Sequence, residues 1–410
     1  MFEEQQRGHK FIGSISSLKN PVKIKIQKLF TRPGGTSCAV WVALAIFANV
    51  SHVAAQEIGT VWTPRDTNRI WGSVTSSADG TKLVAAVWNN GQIYTSADSG
   101  ATWTARDSNR YWTSIASSSD GVKLVATVKT VVDAGNIYTS TDSGVTWIPR
   151  VNNQQWQCVA SSADGTKLVA GINGGSIYTS TDSGTNWTAH DSNRSWWSVA
   201  SSSDGTKLVA VVYSGQIYIS TDSGTNWTAR DSSRYWYSVA SSSDGTKLVA
   251  AVFNGQIYTS TDSGVTWLPR ASSRQWYSVA SSADGTKLVA AARNNDQIYT
   301  STDSGTNWTA QSGSAYANWY SVASSSDGTK LVATVSGGQI YTSVPVLQLN
   351  IASAVNQVVL FWPAWGTNYI LQSTTNLASP NWVTASDAVP VIAFTATNTL
   401  PARFFRLQQE

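Results

Sequence analysis

The sequence predicts an all-β chain: a ring of seven four-stranded blades closed by an N-terminal strand, followed by a small β-sandwich. Three observations predict it. With small variations, the phrase W-x-S-V-A-S-S-x-D-G-T-K-L-V-A recurs with its Asp at Asp79, Asp120, Asp164, Asp204, Asp244, Asp284 and Asp327, spaced 41, 44, 40, 40, 40 and 43 residues apart. Supersecondary units of about 40 residues that recur this way mark a propeller or a solenoid. Each copy then reads as four short runs with turn signals between them: SVASS, DGT, KLVAAV, NG or GG, QIYTS, TDSG and TNWTAR. Finally, the last copy stops at Ser343 without its fourth run, while Thr60-Val61-Trp62-Thr63-Pro64-Arg65 supplies a matching one at the other end. A strand borrowed from the N-terminus removes two exposed sheet edges, which favours a closed ring over an open array.

Taken in order, residues 1–55 come first. They carry Lys19, Lys23, Lys25, Lys28 and Arg32, then the apolar run CAVWVALAIFANV, then Val53-Ala54-Ala55. A basic segment, a short apolar core and small residues read as a secretory signal cleaved after Ala55. The expected location is therefore secreted, periplasmic or cell-surface, with no membrane span in the mature chain. The whole chain has 28 Lys+Arg against 24 Asp+Glu; residues 1–55 hold seven basic and two acidic side chains, leaving 21 against 22. The apparent basicity thus belongs to the signal, and a nucleic-acid partner loses its support. Of the two cysteines, Cys38 leaves with the signal and Cys158 remains alone, so burial must stabilise residues 56–344.

Within the repeat, the octapeptide STDSGTNW begins at Ser180, Ser220 and Ser301, and STDSGVTW begins at Ser140 and Ser260. With the box from Ser96 to Trp103, the motif S-x-D-x-G-x-x-W occurs six times. It resembles the Asp-box, or bacterial neuraminidase repeat, of sialidases, sortilin-type receptors and photosystem II assembly factors. The resemblance implies the propeller fold over residues 59–343 and no particular reaction. Asp98, Asp142, Asp182, Asp222, Asp262 and Asp303 read as turn-building carboxylates that accept backbone N–H groups, each followed by a Gly and covered by a Trp. Nothing beside them supplies the further oxygen ligands that calcium needs, so neither metal nor cofactor is expected.

Function is then expected where the copies differ. The loop between second and third strands and the connection between blades both vary, and in an up-and-down blade both emerge on one rim. Arg69, Arg110, Arg194, Arg234 and Arg274 each lie two residues before a Trp on this rim. They read either as an interrupted guanidinium ring for acidic ligands or as partners of the neighbouring Trp and loop Asp. Trp71, Trp112, Trp156, Trp196, Trp236, Trp276 and Trp319 start the innermost strands and are expected to circle the channel mouth, as packing or as a platform for sugars. The residues after them are Gly72, Thr113, Gln157, Trp197, Tyr237, Tyr277 and Tyr320, and the run of four aromatics places a binding pocket near blades four to seven.

Catalysis finds few candidates. Sialidases typically pair a Tyr nucleophile with a Glu, and after the signal the only Glu residues are Glu57 and Glu410, outside the repeat cores. Asp133, Asp296 and Asp387 are the only unrepeated aspartates, and His190 is the sole His left. No nucleophile triad, metal cluster or phosphate loop can be assembled from them. From 345 to 410 the runs LQLNIAS, QVVLFWPA, TNYILQSTTNL, NWVTASDA, VIAFTA and ARFFRLQ resemble a fibronectin type III or immunoglobulin-like module, with Trp362, Trp365 and Trp382 as candidate core. The expected function is a non-enzymatic extracellular scaffold for a glycan or protein, acidic ligands included. The alternatives are an Asp-dependent glycoside hydrolase and a periplasmic assembly factor for a membrane complex.

Overall fold

The computed structural model describes residues 58–129, 135–151 and 154–344, with strand segments at 42–43, 350–354, 357–361, 369–374, 383–384, 393–397 and 404–409. The described chain is all-β, built of antiparallel sheets, with no helix among the described residues. It divides into two compact units, Glu57–Pro345, and Val346–Glu410 together with Met1–Gln56.

In the larger unit each repeat copy builds antiparallel hairpins along the lines its alternation sets. Copy one is typical: Trp71–Ser76 pairs with Leu83–Val87, that strand with Gly91–Ser96, and that with the strand beginning at Thr104. The second strand of each copy is apolar at every position because both its faces are covered, as in Leu83–Val87, where all five residues are buried. One face meets the following copy: Val84, Ala86 and Ile93 pack with Trp112, Ile115, Leu124 and Tyr138. The same layer recurs around the unit until Val332 and Ile340 of copy seven meet Trp71, Val74 and Leu83 of copy one. The alanine at the middle of each of these strands packs in the layer of its own copy's Trp, and Ala85 and Trp71 are both fully buried.

Two hydrogen-bonded circuits tie the copies together. The amide of Ala78 donates to the carbonyl of Ser119, Ser119 to Ala163, Ala163 to Ser203, Ser203 to Ser243, Ser243 to Ala283, Ala283 to Ser326 and Ser326 back to Ala78, all at 2.7–2.8 Å. In the second circuit the hydroxyls of Ser73, Ser114, Ser198, Ser238, Ser278 and Ser321 each accept the amide of the next copy, at 3.1–3.2 Å. The third copy has Cys158 at this position, a free, buried thiol pushed up to about 12 by burial. Gly171 leaves it space, since a Cβ there would lie 2.8 Å from its sulfur and 2.7 Å from Trp196 Cβ.

The N-terminal strand completes the last copy: Thr63 pairs with Thr342, Pro64 with Tyr341 and Arg65 with Ile340. Trp62 lies 6.0 Å from Trp319, the place that Trp147 takes at 6.1 Å from Trp112.

The smaller unit contains two antiparallel sheets. One orders Asn350–Ala354, Gln357–Phe361 and Ala393–Thr397; the other orders Val42–Ala43, Phe404–Gln409, Tyr369–Thr374 and Val383–Thr384. Apart from Val42–Ala43, the expected signal segment lies outside the described residues, as do Trp362, Trp365, Trp382, Asp133 and Asp387.

If the N-terminal strand is structurally equal to the fourth strands of other copies, Trp62→Ala and Trp147→Ala should each cost about 3–5 kcal/mol in denaturant unfolding. Val61→Ala, at an exposed position, should cost less than about 0.5 kcal/mol. A Trp62→Ala loss as small as that of Val61→Ala would show that the terminal strand is dispensable.

Candidate functional site

The Asp-boxes are satisfied turns. Asp98 Oδ1 accepts the Ser96 hydroxyl at 2.7 Å and the Thr102 amide at 2.9 Å, and its Oδ2 accepts the Thr102 hydroxyl at 2.6 Å. Gly100 stands at φ +86°, and a Cβ there would come within 2.6 Å of Thr342. Trp103 Nε1 donates to the Gly100 carbonyl at 3.0 Å. Asp142, Asp182, Asp222, Asp262 and Asp303 repeat the arrangement. Bonds from Thr102 and Thr266 hold the Asp98 and Asp262 carboxyls at about 2, below the usual 3.8. Bonds from Ser77 do the same for Asp79 in the DGT turn. Among the described residues, no three His, Cys, Asp or Glu side chains are grouped to hold a metal ion.

On the Asp-box side the first strands end around a cavity of about 160 Å³ lined by serines and Ala78, Ala163 and Ala283 from all seven copies. This places the first strands around the axis. Hydroxyls such as Ser76 and Ser117 donate to the adjacent carbonyls of Ser77 and Ser118, and the lining has no titratable side chain.

The opposite end of the first strands carries the variation. The two variable loop classes do share one rim, because they pair with each other: Gly91 with Arg110, Gly175 with Arg194, Gly215 with Arg234, Gly255 with Arg274 and Gly338 with Arg69. Of the two readings of the first-strand tryptophans, burial fits packing and not a platform for sugars. Trp71, Trp112, Trp156, Trp196, Trp236, Trp276 and Trp319 are 0% exposed, packed between copies, and present no face to a sugar.

The arginine series is already partnered. Arg69, Arg110, Arg194 and Arg234 lie 3.6, 3.2, 3.5 and 3.7 Å from Asp66, Asp107, Asp191 and Asp231. Copy six lacks that Asp, and Asp296 from the neighbouring loop takes its place, 2.8 Å from Arg274. Each guanidinium also lies over a third-strand tyrosine, Tyr94, Tyr138, Tyr218, Tyr258 or Tyr299, at 4.4–4.6 Å. A ligand carboxylate would have to displace that aspartate. Asp296 further accepts the Tyr299 hydroxyl at 3.1 Å, which accounts for this unrepeated aspartate. His190, where other copies have Arg, sits 2.8 Å from the Thr179 hydroxyl, as Arg106 does from Thr95 at 3.1 Å.

The residues after the buried tryptophans are brought together. In every copy the pairing register slips at this residue, as between Trp196 and Ser198 or Trp236 and Ser238. A bulge leaves one residue unpaired and re-aims its side chain. In copies four to seven these bulge residues form a chain: Trp197 to Tyr237 at 5.2 Å, Tyr237 to Tyr277 at 4.5 Å and Tyr277 to Tyr320 at 5.3 Å between ring centroids. Sequence reasoning missed their neighbours. Tyr213 lies 4.9 Å from Trp197 and 5.3 Å from Tyr235, and Phe253 lies 5.7 Å from both Tyr237 and Tyr277. Arg293 lies over Tyr277 at 4.9 Å and donates to its hydroxyl. Burial, with Tyr320 and Tyr277 beside it, pushes the Tyr237 phenol up, and burial does the same for Tyr320. Both stay protonated at neutral pH, as donors rather than phenolate nucleophiles.

This arrangement belongs to a β-propeller. Solved structures of YCF48 bound to a D1 peptide and of YCF48 from Cyanidioschyzon merolae resemble the chain with TM-scores of 0.56 and 0.55, both at 17% identity. The likeness covers 70% and 69% of this chain and 96% and 98% of theirs, and it shows the fold. No family model and no curated protein matches the sequence.

The depressed carboxyls also give a pH prediction. A carboxyl held below its usual value binds its proton more weakly in the folded chain, so these turns add stability above 3.8 and lose it as the pH falls toward about 2. Tryptophan fluorescence should show a cooperative acid transition in that interval, with a shallower slope in the Asp98→Asn/Asp262→Asn double variant. An unchanged slope would contradict the assignment.

Proposed function

We propose that the chain is a seven-bladed β-propeller, closed by its N-terminal strand and joined to a C-terminal β-sandwich. It acts outside the cytoplasm as a non-enzymatic scaffold that binds a protein segment on its variable rim. One observation carries this reading: the aromatic arc of Trp197, Tyr213, Tyr235, Tyr237, Phe253, Tyr277 and Tyr320 is confined to copies four to seven of an otherwise repetitive ring. A scaffold needs no such asymmetry at the bulge, where Gly72, Thr113 and Gln157 stand in copies one to three. Tyrosines and tryptophans clustered at a rim are suited to protein recognition.

Three features favour a protein segment over a sugar. The rings lie tilted against one another at 4.5–5.7 Å, so their faces are largely occupied by neighbours. The face of Tyr277 is further covered by Arg293. Tyr235, 52% exposed, offers the open aromatic surface of the arc. Against an enzyme stand the repeated aspartates, each committed to a turn or an arginine, and the absence of Glu from the repeats.

A second reading, an assembly factor for a membrane complex, is favoured by the structural likeness to YCF48, one structure of which holds a D1 peptide. It makes the bound segment part of a membrane protein and leaves the site the same.

Peptides tiling exported and membrane proteins, beside a glycan array, test the proposal. The full chain should bind peptides, about tenfold more weakly in Tyr235→Ala and unchanged in Trp88→Ala, which lies on copy one. Binding to glycans alone, indifferent to Tyr235→Ala, would overturn it.

A further inference from the structure

The serine-lined cavity on the Asp-box side takes no part in the rim site, and its hydrogen-bonding capacity is one-sided. One lining serine of each copy, from Ser76 in the first to Ser324 in the last, donates its only hydroxyl proton to the carbonyl of the following residue, at 2.8–3.0 Å. A hydroxyl oxygen whose proton is committed can only accept. Among the described residues nothing donates to these oxygens, so each copy presents one with unused lone pairs to the same space.

The other lining groups add few donors. Ser77 and Ser242 give their protons to Asp79 and Asp244, both at 2.6 Å, and the amides of Ser119, Ser203 and Ser243 are spent on the circuit that joins the copies. Only the hydroxyls of Ser119, Ser203, Ser243 and Ser326 have no partner among the described residues, and each can turn either way. The fold does not require them, since Ala78, Ala163 and Ala283 hold the same place in other copies. All four serines are exposed, which leaves the cavity open to solvent at this end. Bonds from Ser77 and Ser242 keep the Asp79 and Asp244 carboxyls at about 2, hence charged, one bond behind the lining. Lysines balance them from outside it, as where Lys82 and Lys207 donate to the carbonyls of Asp120 and Asp244 at 2.9 Å.

We infer that this cavity is an axial site for one weakly hydrated monovalent cation, of the potassium or ammonium kind, held by the neutral serine oxygens and by water between them. Convergent lone pairs suit a cation and repel an anion. Calcium and magnesium are poorly served, because no carboxylate reaches the lining and such ions are normally held by them. A volume of about 160 Å³ has room for several waters, so the ion keeps part of its shell and exchanges the rest for hydroxyl oxygens. Neutral oxygens replace the shell of potassium in this way in selective pores. The site exists only while the first strands surround the axis, so the ion binds the folded ring and adds to its stability.

Thermal unfolding of the full chain in lithium, sodium, potassium and ammonium chlorides, at one ionic strength and in a tetramethylammonium buffer, provides the test. Potassium and ammonium should raise Tm by about 2–4 °C over lithium, saturably with concentration. The Ser201→Ala/Ser241→Ala/Ser281→Ala variant should lose that difference. Should it fail to fold, Ser243→Lys serves instead: it sets a tethered ammonium at the open end of the cavity and should make added potassium ineffective. Crystals of the full chain soaked in rubidium chloride should show an anomalous peak on the axis among the serines. Equal stabilisation by all four chlorides would mean screening alone and would overturn the site. A potassium effect that survives in the folded variants would place the ion elsewhere and overturn it equally. Water on the axis with no rubidium peak, or a bromide peak in its place, would also contradict the assignment.

Discussion

The amide of Ala78 donates to the carbonyl of Ser119, and six further bonds of the same kind lead through Ser326 back to Ala78. A circuit of this kind imposes one geometry on every copy, because a change in spacing at one step must be absorbed by the others. It accounts for the features that vary least: the serines that cap the next copy's amide, the alanine packed in the layer of each copy's own tryptophan, and the left-handed glycine of each box. The terminal strand with Trp62 meets the same constraint from the opposite end of the chain. Seven nearly equal hydrophobic layers then share the burial that a single core would concentrate.

Repetition divides the side chains of the turns and the rim into two kinds. Those that recur in register are engaged within their own turn or ion pair. The box aspartates are held by Ser and by Thr or Asn, and the rim arginines lie against Asp and Tyr. Aromatic residues that break the register are gathered on the rim of copies four to seven. Trp197, Tyr237, Tyr277 and Tyr320 break it at the bulge, and Tyr213, Phe253 and Arg293 break it at the end of the second strand. Because each bulge residue is already unpaired, its identity can change without disturbing the ladder on either side.

The repeat, the strand supplied from the N-terminus and the meeting of two loop classes on one rim were legible in the sequence, since each follows from period, turn chemistry and a missing fourth run. The aromatic run after the first-strand tryptophans was legible for the same reason, as an asymmetry in a regular series. Depth was less so. A tryptophan opening an inner strand looks the same in sequence whether it faces the channel or the next copy, and Trp236 lies against Tyr258 and Trp267 with no exposed surface. The arginine series left two readings open until Asp66, Asp107, Asp191 and Asp231 were seen beside it, and Asp296 serves Arg274 from another loop. Tyr213, Phe253 and Arg293 escaped notice because only the pairing register sets the end of the second strand beside the bulge. Aligning those two positions copy by copy was the signal that could have found them.

The account depends on the ring being closed, so that no copy is an end. Amide hydrogen exchange resolved at Ala78, Ser119, Ala163, Ser203, Ser243, Ala283 and Ser326 tests this most directly, because these are the donors of the circuit. A closed ring predicts that all seven exchange together, in the slowest class, through global unfolding. Protection that falls off toward Ala78 and Ser326, strongest in the middle copies, would mean an array that frays from its ends and would contradict the account.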